Sequence, residues 1–274
     1  MTGGPCDELL PTPTFVVTGG ATRDASFRPT LSGDYTVMLR VTTPSGEVLT
    51  CTFVVHIAGP GLRVELCWDT STSVDLDLYL HDPRNTAAWF DGTTSPLDSV
   101  NSSSCHWANC EAILRADLPR ADWGYAASPL SACELGPHGT DWRFSVGSCS
   151  NPRLDIDNNL VKTSGAPENI NIDQPRDAES FRVMVENFTG DDARPIINVY
   201  CGGHLRATIG AAPDVVPDFS GPDSLTTLGA MWRAADIAVH VDSATGETTG
   251  CDVTPLHPPG TTSGHWITIA DPSY

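Results

Sequence analysis

Lysine is nearly absent from this 274-residue chain: of its 15 basic residues, only Lys162 is a lysine. Against 34 acids, that leaves a formal net charge of −19. A surface so short of positive charge repels nucleic acid and anionic lipid, so no nucleic-acid partner is expected. It favours divalent cations and basic partners instead. Long apolar runs are lacking too. No stretch reaches the ~18–20 residues that a membrane span needs, so no membrane insertion is expected. No secretory leader is read at the start, because Met1-Thr2-Gly3-Gly4 runs into polar, Pro-rich sequence. Several catalytic signatures are also missing. There is no Gly-x-Ser-x-Gly nucleophile elbow, no His-Glu-x-x-His zinc helix and no phosphate-binding glycine loop. Charged residues make up only 18% of the chain, while Gly (24) and Pro (22) are abundant. That balance suits turns and short strands and argues against long helices.

Cysteine is what the chain has in excess. Nine stand at Cys6, Cys51, Cys67, Cys105, Cys110, Cys133, Cys149, Cys201 and Cys251. So many scattered cysteines point to an oxidising compartment and a partly disulfide-bonded fold. Cys105 with Cys110 and Cys133 with Cys149 can each close a local loop. Cys6 with Cys51 would suit an N-terminal module, leaving Cys67, Cys201 and Cys251 as three thiols for one bridge. The odd count predicts a free thiol or a partner outside this sequence. Export without a leader is reconciled if the chain is a piece of a longer secreted or cell-surface protein.

The strand-like runs are Phe15–Val17, Asp34–Val41, Thr50–Ile57, Leu62–Asp69, Val74–His81, Phe181–Asn187, Ile196–Cys201, His204–Ile209, Met231–Val241 and Gly250–Leu256. Thr43-Pro44-Ser45-Gly46-Glu47 reads as a hairpin turn. Residues 105–153 look irregular. The fold class expected is all-β: a truncated immunoglobulin-like module over residues 1–60, then a larger antiparallel β-sandwich with long loops over 61–256. Residues 257–274 would form a tail or an edge strand through His265–Ile269.

Three short segments alternate acids or amides with aliphatics: Val74–Leu80, Leu154–Asn159 and Glu168–Asp173. Successive strand side chains point to opposite faces. Leu76, Leu78 and Leu80 can therefore enter a core while Asp75 and Asp77 stand about 6–7 Å apart on the other face. Like charges so close need a cation or water between them. The expected ligand set for a hard cation, most naturally Ca²⁺, is Asp75, Asp77, Asp155, Asp157, Asn158, Glu168, Asn169, Asn171 and Asp173, because Ca²⁺ takes 6–8 oxygens from separated segments. The alternative is a solvated polar strand face with Asx-type turns. Asp155-x-Asp157-x-Asn159 begins like an EF-hand loop, but Leu160 stands where the loop needs Gly and Ala166 where its last Glu belongs. Paired carboxylates could also serve a glycosidase, but nothing else in the sequence marks one as an acid. Cys105, His106 and Cys110, with His138, make only a loose zinc pattern, and a local disulfide is preferred. Trp89, Trp107, Trp123 and Trp142 could present flat faces to a sugar, or close the small cores of their loops.

Two resemblances follow. Ser32-Gly33-Asp34-Tyr35-Thr36-Val37, then Thr-Pro-Ser-Gly and a second β run, resembles the C-terminal half of a PKD-type domain. The ordered series Leu62–Asp69, Asp75–Pro83, Cys105–Cys110, Asp122–Gly124, Pro152–Asn158, Pro167–Asp173 and Val199–Gly203 is similar to the YfaP/DUF2135-like β-sandwich domain of large exported myxobacterial-type proteins. This chain departs by carrying Tyr79 where many relatives have His, and by the insertion around Cys133–Cys149. The resemblance implies an extracellular accessory domain without an established activity. The function expected is a non-catalytic, calcium-stabilised binding or adhesion module. Its partner would be an extracellular protein, a polysaccharide or copies of itself. The alternatives are a structural spacer or self-assembling subunit, and a polysaccharide-active enzyme.

Overall fold

A computed structural model describes residues 15–29, 33–57, 59–68, 74–82, 84, 104–112, 120–133, 147–158, 167–189, 191–217, 219–221, 229–269 and 271. Almost every regular element is a strand. In chain order they are β1 (Phe15–Thr18), β2 (Ser26–Pro29), β3 (Gly33–Thr42), β4 (Val48–Ile57), β5 (Leu62–Trp68), β6 (Leu76–His81) and β7 (Ser104–Cys105). Then follow β8 (Arg153–Ile156), β9 (Glu168–Ile172), β10 (Ser180–Asn187), β11 (Pro195–Cys201), β12 (His204–Ile209), β13 (Ala230–Val241), β14 (Thr248–Pro255) and β15 (Trp266–Ile269). The one short α-helix among the described residues, α1, spans Trp107–Cys110.

The first four strands form two separate hairpins, β1-β2 and β3-β4. Pro44 and Gly46 shape the second turn. Gly46 takes a φ of 87°, and the Thr43 N–H donates to the Glu47 carbonyl at 2.8 Å. The remaining strands build two antiparallel sheets. One runs β12-β11-β5-β9-β8. The other runs β14-β13-β10-β6-β7, with β15 also paired to β13. The last run, Trp266–Ile269, is thus an edge strand of this sheet. Alternation fills the space between the sheets. Leu62, Val64 and Leu66 of β5 and Ile170 and Ile172 of β9 meet Leu76, Leu78 and Leu80 of β6 and Val183 and Val185 of β10 in one core. Each such side chain contributes roughly 1.5–3 kcal/mol by burial. Gly61 admits no side chain at the entry to β5: a Cβ there would sit 2.0 Å from the Ile172 carbonyl oxygen.

Three bridges join Cys105 to Cys110, Cys133 to Cys149 and Cys201 to Cys251. The last links β11 of one sheet to β14 of the other. Cys67 is also disulfide-bonded. Cys51 is a free, exposed thiol, so the expected Cys6–Cys51 bridge is not formed. Cys6 itself lies outside the described residues. The register explains Cys51: it lies mid-strand on β4 opposite Leu39, on an open ribbon.

Candidate metal centre

Among the described residues, strand β6 has one continuous neighbour along its length, β10, whereas β7 pairs only with Leu80 and His81. On the other side of the first half of β6, Glu168 reaches in from the other sheet. Glu168 is the first residue of β9. Its Oε2 accepts the Leu78 N–H at 2.7 Å, and its Oε1 accepts the Asn158 N–H at 3.3 Å. One carboxylate thus ties an edge of β6 to the chain just beyond β8.

This brings Glu168 against the acids of β6. One carboxylate oxygen from each of Asp75, Asp77 and Glu168 lies within 4.8 Å of the other two. A point central to an equilateral triangle with 4.8 Å edges is about 2.8 Å from each corner, so a shift of a few tenths of an ångström brings three oxygens to the 2.3–2.6 Å that Ca²⁺ requires. The three acids are only 5%, 3% and 1% exposed. Asp157 and Asn158, both buried, follow β8 into the same place. Glu186 stands directly opposite Asp77 in the β6–β10 register and accepts the Tyr79 hydroxyl at 2.7 Å. His106, which stacks on Tyr79 with ring centroids 4.6 Å apart, is held neutral by burial, its pKa down to about 3.

The electrostatics are one-sided. Burial pushes Asp77 well above the ordinary carboxylate range, and Asp75, Glu168, Glu186 and Asp157 each push it further. Glu168 is raised by burial and by Asp157 and Asp75, against which two backbone N–H groups act. Asp77 Oδ2 is fully buried and accepts no hydrogen bond. Such a cluster stays folded in one of two ways: its carboxyls share protons, or a cation sits among them. The donors are all oxygens, which suits a hard ion.

The rest of the expected ligand set lies elsewhere. Asp155, Asn169, Asn171 and Asp173 occupy the outward face of the five-stranded sheet, because in β9 the residues alternate with Glu168, Ile170 and Ile172. Three of these four have cationic or amide partners. Arg153 reaches Asp155 at 3.0 Å and Asp173 at 2.9 Å, and Asn171 donates to Asp155 at 2.8 Å. Arg63 donates to Asn171 at 3.4 Å and to Glu65 at 2.9 Å. Burial raises the Asp155 pKa, opposed by Arg153 and Arg63. Asn169 stands opposite Glu65, buried, with no hydrogen-bond partner for its amide. These four are therefore not part of the acidic triad. The signal was present in the sequence: Arg153-Leu154-Asp155 and Arg63-Val64-Glu65 each set a cation beside an acid on one strand face. Val74–Leu80 contains no base. Glu186 carries no such signal in the sequence, because only strand pairing places it beside Asp77.

The aromatics divide similarly. Trp123 is 5% exposed and stacks on Phe181 at 5.9 Å, so it offers no face to a sugar. Trp107 is half-buried, edge-on to Phe188. Trp89 and Trp142 lie outside the described residues. A cavity of about 540 Å³ is lined by His56, Gly61, Gly202, His204 and Thr248, among others, and by none of the three acids.

No family model, curated protein or solved structure matches the chain.

Proposed function

We propose that the chain is a non-catalytic, calcium-stabilised extracellular module of a larger secreted or surface protein, used for binding or adhesion. The observation that carries this reading is the buried, all-oxygen cluster in which Asp77 Oδ2 has no donor and its strongest electrical neighbours are all acids. A buried charge persists when it is paired or coordinates a metal. Asp75, Asp77 and Glu168 would hold the ion, and Asp157 and Asn158 would supply further oxygens. The ion would offset the mutual repulsion of the acids and fix the segment after β8 against β6.

The acids argue against carboxylate catalysis because they converge on a buried point. A glycosidase pair must flank a bound sugar and a water. The disulfides support an oxidising compartment. The PKD-like and DUF2135-like assignments rest on the ordered motifs, which fall on β3-β4 and on β5, β6, β8, β9 and β11.

Thermal melting in EDTA and in Ca²⁺ tests the reading. EDTA lowers the melting temperature and added Ca²⁺ restores it. A melting curve indifferent to both would sink the idea.

A further inference from the structure

Among the described residues, the β3-β4 ribbon carries an apolar face that is covered at one end only. Cross-strand neighbours put Tyr35, Val37, Leu39 and Val41 of β3 on the same side as Val55, Phe53, Cys51 and Leu49 of β4. None of the eight is charged or amide-bearing. At one end the face is covered: Phe15 and Phe27 of the first hairpin pack on Tyr35, which is 1% exposed. The cover then runs out. Leu39, Val41, Leu49 and Phe53 are 55%, 46%, 52% and 49% exposed. In the middle of this open half sits Cys51, the free thiol.

We infer that this face docks on the same face of a second copy of the chain, and that the two Cys51 thiols become linked across the contact. Two features select a second copy as the occupant. An isologous contact brings residues near its two-fold axis against their own counterparts, so a central Cys51 meets the thiol that this chain leaves over. The uncharged face also lets two chains of net charge −19 meet without acids in the contact. Only Phe53 of the five open residues is aromatic and the four apolar ones are each about half exposed, so the contact is smaller than a standard specific interface and the disulfide would secure a weak association.

The bond forms by thiol–disulfide exchange with a small-molecule disulfide such as oxidised glutathione. One Cys51 thiolate attacks it, forming a mixed disulfide and releasing one glutathione thiol. The second copy's Cys51 then attacks the Cys51 sulfur of that mixed disulfide and releases the other glutathione. Two protein thiols lose two electrons in total, and the glutathione disulfide gains them.

The test is light scattering coupled to size exclusion, with non-reducing electrophoresis, on protein incubated with oxidised glutathione. The wild type is expected to run as a dimer that reduction converts to a weaker, concentration-dependent one. C51S loses the covalent band while keeping that weak association. L49D, at an exposed position, is expected to abolish both. Wild-type protein that stays monomeric, or that holds glutathione on Cys51 without dimerising, overturns the inference, as does an L49D variant that cross-links like wild type. A longer chain whose upstream segment covers the face and keeps it monomeric would overturn it too. The Ca²⁺-dependent melting shift of L49D, read in parallel, fails or survives independently of the dimer.

Discussion

Replacing Asp77 by Asn tests the metal centre with little change of shape. The substitution keeps the side-chain volume at a position 3% exposed and removes one charge from a cluster in which four other acids act on it. In EDTA at pH 7, the variant should be at least as stable as wild type, because a buried acid that must either repel its neighbours or hold a proton has gone. In Ca²⁺ the order should reverse. With Ca²⁺ at 100 times its dissociation constant, binding adds about 2.7 kcal/mol to the wild type. Losing one of three clustered carboxylates is expected to weaken binding at least tenfold, which reduces the increment to about 1.4 kcal/mol or less. For a sandwich of this size, 1 kcal/mol moves the melting temperature by about 2–4 °C. The Ca²⁺-induced shift should therefore fall from roughly 5–10 °C to 3–5 °C or below. Differential scanning fluorimetry of both proteins, each in EDTA and in Ca²⁺, gives the four values needed. Equal destabilisation of the variant in both conditions would refute the reasoning, since it would make Asp77 a structural residue only.

Three further outcomes are expected. Asp77 and Glu168 have raised pKa values in the fold, so the metal-free protein binds more protons folded than unfolded above about pH 4. Their contribution is therefore fully present below about pH 4 and is lost as pH rises through the raised values; urea melts in EDTA should show these groups destabilising the protein with rising pH, and Ca²⁺ should remove that trend. Arg153→Met strands Asp155 and Asp173 without their guanidinium and should cost about 3–5 kcal/mol by denaturant melting, while leaving the Ca²⁺-dependent shift intact. Replacing Cys201 and Cys251 by Ala opens a loop whose ends are 50 residues apart and should cost about 4 kcal/mol, measured the same way.

The all-β class was legible because alternation is local: the expected runs from Leu62 to Ile269 fall on strands. So were Cys105–Cys110 and Cys133–Cys149, whose short spacing limits the choice of partner. The pairing of Cys201 with Cys251 and the freedom of Cys51 were not, since both depend on which strands become neighbours. The metal centre was half legible. Alternation put Asp75 and Asp77 on one face of β6, but the same pattern in Leu154–Asn159 and Glu168–Asp173 carries two different chemistries. Glu168 and Asn169 are adjacent in sequence and point to opposite faces of β9. Only the sheet's position in the sandwich assigns one to the acids of β6 and the other to the arginine-rich face.

That division also explains where the acids stand. Across the sandwich, β11 and β12 lie against β14 at one edge, and β9 lies against β6 toward the other. The first edge is fastened covalently, by Cys201–Cys251. The second has no described disulfide between the sheets. There Glu168 reaches from β9 to the Leu78 N–H of β6, and the acids gather at the junction. A bare carboxylate cluster is a poor fastener, because each charge opposes the others. With a cation among them, the same oxygens attract a common centre and pull the two sheets together. In that reading the site, placed beside β6 and β9, would do by coordination what the disulfide does by covalency on the other side. Because the groups acting on Asp77 are all acids, a bound divalent ion would be an effective source of positive charge for such a junction.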